Sequence, residues 1–252
     1  MVLSKIGRIA VRWSRPVAGI IKTVTVSREA DGWYVSFSCA DVPTQPLPPT
    51  GRETGLDVGL KVFLVTAEGA VVENPRHYRK AENALGKAQK RLSRRKRGSK
   101  RWWKAARLVA KKHQKVRRQR RDFHHQTALA LVRDYDTIYL EDLRVANLVR
   151  NPYLAKSISD AGWAAFRTVL VCKAAWAGKR VVLVDPAYTS QDCSGCSVRV
   201  QKSLSMRTHV CPSCGLVLDR DENAARNIVR AGQARRGAVG PPAVLKRESI
   251  RL

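Results

Sequence analysis

The chain has 252 residues, and its 48 Lys and Arg against 20 Asp and Glu give a formal charge of +28 at pH 7. A compact body so charged repels itself unless a polyanion neutralises it, so DNA or RNA is the expected partner, ahead of a small-molecule substrate or a membrane surface. No run of about 18 apolar residues exists, and Lys5, Arg8 and Arg12 interrupt the amino terminus, which argues against a spanning helix or a secretory signal and for a reducing cytoplasm.

Residues 5–39 alternate like strands around a turn at Ala30-Asp31-Gly32, which predicts a partial β-barrel segment over 1–49. The proline-rich stretch from Asp41 to Gly51 reads as a linker. Short apolar runs at Gly55-Leu56-Asp57-Val58, Val62-Phe63-Leu64-Val65 and Ala70-Val71-Val72 predict a three-stranded meander. Residues 77–133 are basic and free of proline, which predicts two long helices broken near Gly98-Ser99. A strand follows at Thr137–Glu141, then a helix over 158–178 with Ile158, Trp163, Phe166, Val169, Leu170 and Ala174 at helical spacing and Gly178 as its stop. Arg180–Val184 is a further strand, 189–218 a cysteine-rich loop, 221–231 a short helix, and 233–252 a tail expected to be disordered. Strands and helices alternating after a meander predict an α/β fold with a mixed sheet covered by helices.

In a reducing compartment, cysteines serve as metal ligands or buried thiols more often than as disulfides. Cys193, Cys196, Cys211 and Cys214 form two C-x-x-C knuckles, with Gly195 and Gly215 in their turns. Four thiolates satisfy Zn²⁺ completely and leave no open position, so the expected zinc is structural. His209 could replace a ligand, but the four cysteines already make a complete set. Cys39 and Cys172 lie in apolar contexts and are expected to be buried thiols.

Asp57 interrupts an apolar run, Glu141 ends a strand, and Asp221 opens the helix after the cysteine loop. A sheet with a helix across it can bring the three together. Clustered carboxylates cannot all ionise without divalent cations, and two Mg²⁺ ions would neutralise them while flanking a scissile phosphate. That is the chemistry of a metal-dependent nuclease.

Between Arg76 and Arg121 there are 21 Lys or Arg and one acid, Glu82. Like charges along a helix are tolerated best beside phosphates, which assigns nucleic-acid contact to Lys87, Lys90, Arg91, Arg94, Arg95, Lys96, Arg97, Lys100, Arg101, Lys111, Lys112, Lys115, Arg117, Arg118, Arg120 and Arg121. Trp102-Trp103 is expected to close the helical turn by packing, with base stacking as the alternative.

The motifs Gly55-Leu56-Asp57-Val58-Gly59, Tyr139-Leu140-Glu141-Asp142-Leu143, the ribbon preceded by Tyr188-Thr189-Ser190-Gln191, and Leu218-Asp219-Arg220-Asp221-Glu222-Asn223-Ala224-Ala225 stand in an order that resembles the OrfB/TnpB family of insertion-sequence proteins, relatives of type V CRISPR effectors. The resemblance implies an RNA-guided DNA endonuclease of RNase H-like (RuvC) fold, often labelled a transposase, with a guide RNA and target DNA as partners. It places the catalytic acids at Asp57, Glu141 and Asp221, with Asp219 competing for the third position. It also implies a wedge-like segment over 1–49, a nuclease core over 50–188 that contains the basic hairpin 77–133, a zinc ribbon over 189–218 and a last nuclease motif over 219–232. Family members carry a longer amino-terminal region, so the resemblance implies a truncated copy. Two other readings stay open: a binder of its own element's RNA or DNA without cleavage, and a strand-transferring transposase.

Overall fold

The computed structural model describes residues 1–3, 5–203 and 206–238, and the chain divides into two compact units, 1–45 with 80–119 and 46–79 with 120–252. The strands β1 (Val2–Leu3), β2 (Gly7–Arg8), β3 (Ile20–Arg28) and β4 (Trp33–Ala40) come first. β5 (Glu53–Val58), β6 (Val62–Thr66) and β7 (Val71–Glu73) follow, then the helices α1 (His77–Ser93) and α2 (Lys100–Asp134). The chain continues through β8 (Thr137–Glu141), α3 (Val145–Leu148), α4 (Ala155–Ala161), α5 (Trp163–Trp176) and β9 (Arg180–Val184). It ends in β10 (Thr208–Val210), β11 (Val217–Asp219) and α6 (Arg220–Ala238).

In the first unit β3 and β4 form an antiparallel ladder turning at Ala30–Gly32, as the alternation predicts. The expected partial barrel is, among the described residues, two separate two-stranded sheets, β1-β2 and β3-β4. Every residue of β3 is exposed, so the ladder has no apolar face closed against a second sheet. Trp13 stacks on Phe37 with ring centroids 5.4 Å apart. Between α1 and α2 the break falls where Gly98 takes a positive φ, and the Ser99 hydroxyl accepts the Trp102 backbone N–H at 3.1 Å, which caps α2. The middle of the helical hairpin, 80–119, groups with β1–β4.

The second unit is a five-stranded mixed sheet in the order β7-β6-β5-β8-β9. β5, β6 and β7 are the antiparallel meander, whereas β5, β8 and β9 run parallel. Parallel neighbours need crossover connections, and the long helices between β5 and β8 and between β8 and β9 supply them. One face of the sheet buries Leu56, Leu64, Ile138 and Leu140 with Ala128, Leu131 and Val132 of α2 and Phe166, Leu170 and Ala174 of α5. At about 1.5–3 kcal/mol for each large side chain, this is the main source of cohesion in the unit.

The other face carries α6, and here glycine decides. A Cβ added at Gly55 would lie 2.2 Å from the Ala225 carbonyl oxygen, and one added at Gly232 would lie 1.9 Å from the Tyr139 ring. Both close approaches exist only because those side chains are absent. α6 runs to Ala238, seven residues beyond the predicted stop at 231, because its last turns still bind the sheet: Gln233 and Arg236 hydrogen-bond Glu53, and Arg235 reaches the Leu183 carbonyl. The remainder of the expected tail, 239–252, lies outside the described residues.

The single helix expected over 158–178 is two. Gly162, at φ 68°, ends α4 and starts α5, yet Ile158, Trp163, Phe166, Leu170 and Ala174 are all buried as the spacing predicts. One left-handed residue re-aims the axis without moving the apolar stripe off the core. The second half of the expected linker is fastened down: the Leu47 N–H donates to the Ala177 carbonyl at 2.9 Å, and Asp136 accepts the backbone N–H groups of Thr50 and Gly51 at 2.9 and 2.7 Å. Lys179 completes the junction by pairing with Asp136 and donating to the Pro48 carbonyl at 2.6 Å.

Two measurements test this packing. Gly55→Ala should lower stability to urea by about 1–3 kcal/mol, because the new methyl meets rigid helix backbone; an unchanged unfolding midpoint would contradict the close approach. Lys179, then the Thr50 and Gly51 amides, hold Asp136 well below the usual carboxylate range. The stability it contributes is therefore complete above the unfolded value of about 4 and is lost as pH falls toward the lower native value. Asp136→Asn should unfold at a lower temperature than the parent at pH 7, with the difference shrinking below about pH 4; a difference independent of pH would refute the ionic role.

Candidate active site and cysteine cluster

β5 and β8 are paired in parallel through Leu56 and Leu140. The next position on each strand is Asp57 and Glu141, which therefore stand side by side at the carboxyl ends of neighbouring strands. Side chains alternate across a sheet: Leu56 and Leu140 enter the core on one face, so Asp57 and Glu141 point to the opposite face, the one covered by α6. Asp221 lies in the first turn of that helix. The three sequence-predicted acids thus arrive in one neighbourhood from three elements. In open α/β sheets the carboxyl ends of the strands are where ligands bind.

Burial pushes the Asp57 carboxyl well above the usual carboxylate range, and the negative charges of Glu141, Asp221 and Asp219 push it further, against an opposing pull from Arg220. Burial also raises Glu141, opposed by the Thr189 hydroxyl, which donates to it at 2.5 Å. Asp219 has a second occupation. Its Oδ1 accepts the backbone N–H groups of Asp221 and Glu222 at 2.8 and 3.4 Å, so it caps α6, whose first turn carries the acids Asp221 and Glu222. Arg220 and Arg207 approach Asp221 at 3.1 and 3.5 Å and balance part of the negative charge. A cleft beside the cluster is lined by Lys61, Arg207, Asp219, Asp221 and Glu222.

Burial and the like charges around Asp57 make it costly to ionise without a neighbouring cation. The carboxylates form a looser group than the cysteines. Among the described residues, only Cys193, Cys196, Cys211 and Cys214 bring their donor atoms all within 4.8 Å of one another. Cys193 Sγ is 3.7 Å from Cys214 Sγ, and Cys196 Sγ is 3.5 Å from Cys211 Sγ. A tetrahedron with Zn–S bonds of about 2.3 Å has edges of about 3.8 Å, so the four sulfurs could hold a zinc ion with little movement.

The two knuckles repeat one backbone design. Cys193 and Cys211 each donate an N–H to the carbonyl five residues on, Val198 and Leu216, and each accepts from the residue four on, Ser197 and Gly215. Those two occupy the left-handed region, at φ 66° and 73°. Backbone hydrogen bonding, first from Cys214 and then from Ser213, pulls the Cys211 thiol down to about 6 against the effect of burial, while Cys214, against a backbone hydrogen bond from Leu216, is pushed up to about 12 by its neighbouring sulfurs and burial, so the sulfurs share their protons as one group. His209 is not in the four-sulfur group; its ring is buried on β10 with Lys202 Nζ at Nδ1. Cys39 and Cys172, expected to be buried, are half-buried.

Asn223 and Asn227 went unassigned in the sequence. Both are buried on α6. Asn223 donates to the Asp192 carbonyl at 2.8 Å and accepts the Ser194 N–H at 2.9 Å, and Asn227 donates to the carbonyls of Thr189 and Asp192 at 2.8 and 2.7 Å. Their spacing of one helical turn was the available signal. They lace α6 to the segment that carries Thr189 into the site and leads to the first knuckle.

With this geometry established, comparison with known proteins places the chain. The OrfB_IS605 family, described as "Probable transposase", matches residues 36–152, and the Cas12f1-like TNB domain matches 163–228. The chain belongs to the TnpB family. A Streptomyces pristinaespiralis protein named "Putative RNA-guided DNA endonuclease" is 42% identical over 246 residues, covering 96% of this chain and 60% of that protein. Escherichia coli "Putative RNA-guided DNA endonuclease InsQ" is 33% identical over 248 residues, covering 92% of this chain and 62% of that protein. The chain thus spans about three fifths of the length of these relatives. In fold it is similar to Cas12f1 in a cryo-EM complex with sgRNA and target DNA, at a TM-score of 0.52 and 18% identity, covering 81% of this chain and 55% of that one. A CRISPR-Cas12f ternary complex gives a TM-score of 0.54 at 18% identity, covering 81% of this chain and 44% of that one.

The sequence-assigned basic residues separate by environment. Lys87, Lys90, Arg91, Arg94, Lys96, Arg97, Lys100, Arg101, Lys111, Lys115 and Arg121 are exposed, whereas Arg95, Lys112 and Arg120 are half-buried. Arg117 and Arg118, also exposed, pair with Glu29 and Asp31, and Arg120 donates to the Ser159 carbonyl at 2.7 Å. These three have structural partners that sequence could not reveal. Of the Trp102-Trp103 pair, Trp102 is half-buried and meets Trp103 edge-on at 4.8 Å between ring centroids, whereas Trp103 is 63% exposed, so the expected packing holds for only one of the two. No helix among the described residues is long and apolar enough to cross a membrane.

Protein purified under reducing conditions should contain a single zinc per chain, and Cys193→Ser should lose it together with stability. Zinc content near zero in the parent protein, measured by atomic emission, would reject the assignment.

Proposed function

We propose that this chain carries the DNA-cleaving centre of an RNA-guided endonuclease of the TnpB type, with a RuvC-like site in which Asp57, Glu141 and Asp221 hold two Mg²⁺ ions, and a structural zinc on Cys193, Cys196, Cys211 and Cys214. One observation carries the reading: Asp57 sits beside Glu141 and is destabilised by the charges of Glu141 and Asp221. A protein has little reason to collect like charges at the end of two strands unless a cation belongs among them.

Magnesium would supply Lewis-acid stabilisation of the phosphate and a water activated at neutral pH. The side chains divide the remaining work. Thr189 orients the Glu141 carboxylate, and Asp219 fixes the first turn of α6 and hence the position of Asp221. Arg207 and Arg220 balance the charge of Asp221, where a bound divalent ion would take over that role. The exposed Lys and Arg of α1, α2 and the segment between them would neutralise guide and target phosphates, so affinity should fall steeply with salt. Sequence discrimination would come from base pairing with the guide.

The purified protein with its co-purifying RNA should cut labelled single-stranded DNA in Mg²⁺, and Asp57→Ala should slow cutting by at least about two orders of magnitude. Equal cutting by both proteins would remove the nuclease reading. RNA binding without cutting by either would support the non-cleaving binder, a reading to which the engagement of Asp221 by two arginines also lends weight.

A further inference from the structure

In the first unit, the β3-β4 turn and α2 enclose a cleft of about 610 Å³, within the range of roughly 300–1,000 Å³ that ligand sites occupy. Its walls carry two large aromatic side chains held in solvent, Trp33 at 69% and Trp103 at 63% exposure. On α2, Trp103, Ala106, Arg107 and Ala110 fall at i, i+3, i+4 and i+7, hence on one helical face. The two alanines keep the space between the larger groups open. Arg28 enters from the hairpin, its guanidinium 5.8 Å from the centre of the Trp33 ring.

The hairpin tip is held rigidly. The Glu29 N–H donates to the Gly32 carbonyl at 2.8 Å, Arg107 Nε donates to the Ala30 carbonyl at 3.2 Å, and Gln114 donates to Asp31 at 2.7 Å. The two acids of the tip are already answered, Glu29 by Arg117 and Asp31 by Arg118. What the cleft offers a ligand is therefore flat aromatic surface flanked by positive charge. A quaternary ammonium or methylated lysine prefers an aromatic cage with free acids, and Arg28 and Arg107 would repel it. The complementary ligand is flat and aromatic with an anionic group attached, which is the chemistry of a nucleotide. Bases in a duplex have their faces covered by neighbours, so only an unpaired base can present one.

We infer that this cleft binds an unpaired nucleobase of single-stranded nucleic acid, by stacking on Trp33 and Trp103 with Arg28 and Arg107 directed to the adjoining phosphates. The inference rests on the nucleic-acid-binding part of the proposed function and is independent of the carboxylate site. It gives one nucleotide a fixed position on a surface whose other contacts are to backbone charge.

The test titrates the full-length protein with twelve-residue oligouridine, oligodeoxythymidine and a duplex of equal length, following tryptophan fluorescence and anisotropy. Binding of single strands should quench emission, and Trp33→Ala with Trp103→Ala should weaken it by on the order of tenfold or more, as loss of base stacking does. Duplex affinity and the salt slope, set by phosphates, should not change. Trp33→Phe with Trp103→Phe should retain most of the single-strand affinity, and Trp176→Ala, an exposed tryptophan on α5, should behave as the parent. Tight binding of both single strands supports reading of the base face, whereas preference for one names the strand that occupies the cleft. Unchanged single-strand affinity in the double alanine variant overturns the inference, as does an equal loss for single strands and duplex. A parent protein that binds duplex but no single strand overturns it while sparing the phosphate contacts; one that binds neither overturns the nucleic-acid reading itself.

Discussion

The carboxylate site depends on how closely α6 lies against the sheet. Helices normally pack with their side chains between backbones, but at Gly55 and at Gly232 only hydrogen separates helix from strand or ring. That closeness lets a residue in the first turn of the helix share the electrostatic environment of two strand ends. Leu56, which follows Gly55, anchors the opposite face of β5 in the core, so the strand cannot turn to relieve crowding. Gly55, Leu56 and Asp57 thus have three distinct duties in consecutive positions: to admit the helix, to fix the strand, and to present the acid.

Much of this was legible in the chain. The meander, the basic helical pair with its break and the two parallel strands follow from period and punctuation, because each is a local pattern that burial reinforces. The cysteine knuckles are legible for a stronger reason: metal chemistry constrains spacing more tightly than packing does. The convergence of Asp57, Glu141 and Asp221 needed the sheet order, which no local pattern encodes. That Asp219 caps α6 by accepting the Asp221 N–H was likewise hidden, since it depends on how the helix begins.

What escaped the sequence was governed by tertiary partners. The break at Gly162 preserves the apolar stripe, so periodicity passes through it unmarked. The length of α6 beyond 231 is set by contacts with Glu53 and Leu183, which lie far away along the chain. Arg117 and Arg118 look like their neighbours in a basic run, yet acids on a distant turn claim them. Asn223 and Asn227 look like ordinary polar helix residues until buried carbonyls are found opposite them. In each case the missing information is the identity of a partner.

The arginines beside Asp221 carry one more implication. Carboxylates assembled without any counterion would push the strand ends and the helix apart during folding. Two guanidinium groups already in place offset that repulsion, so the polypeptide can assemble this neighbourhood by itself. Under the two-metal reading proposed above, loading would exchange one positive charge for another, with the two arginines competing against the ions for Asp221.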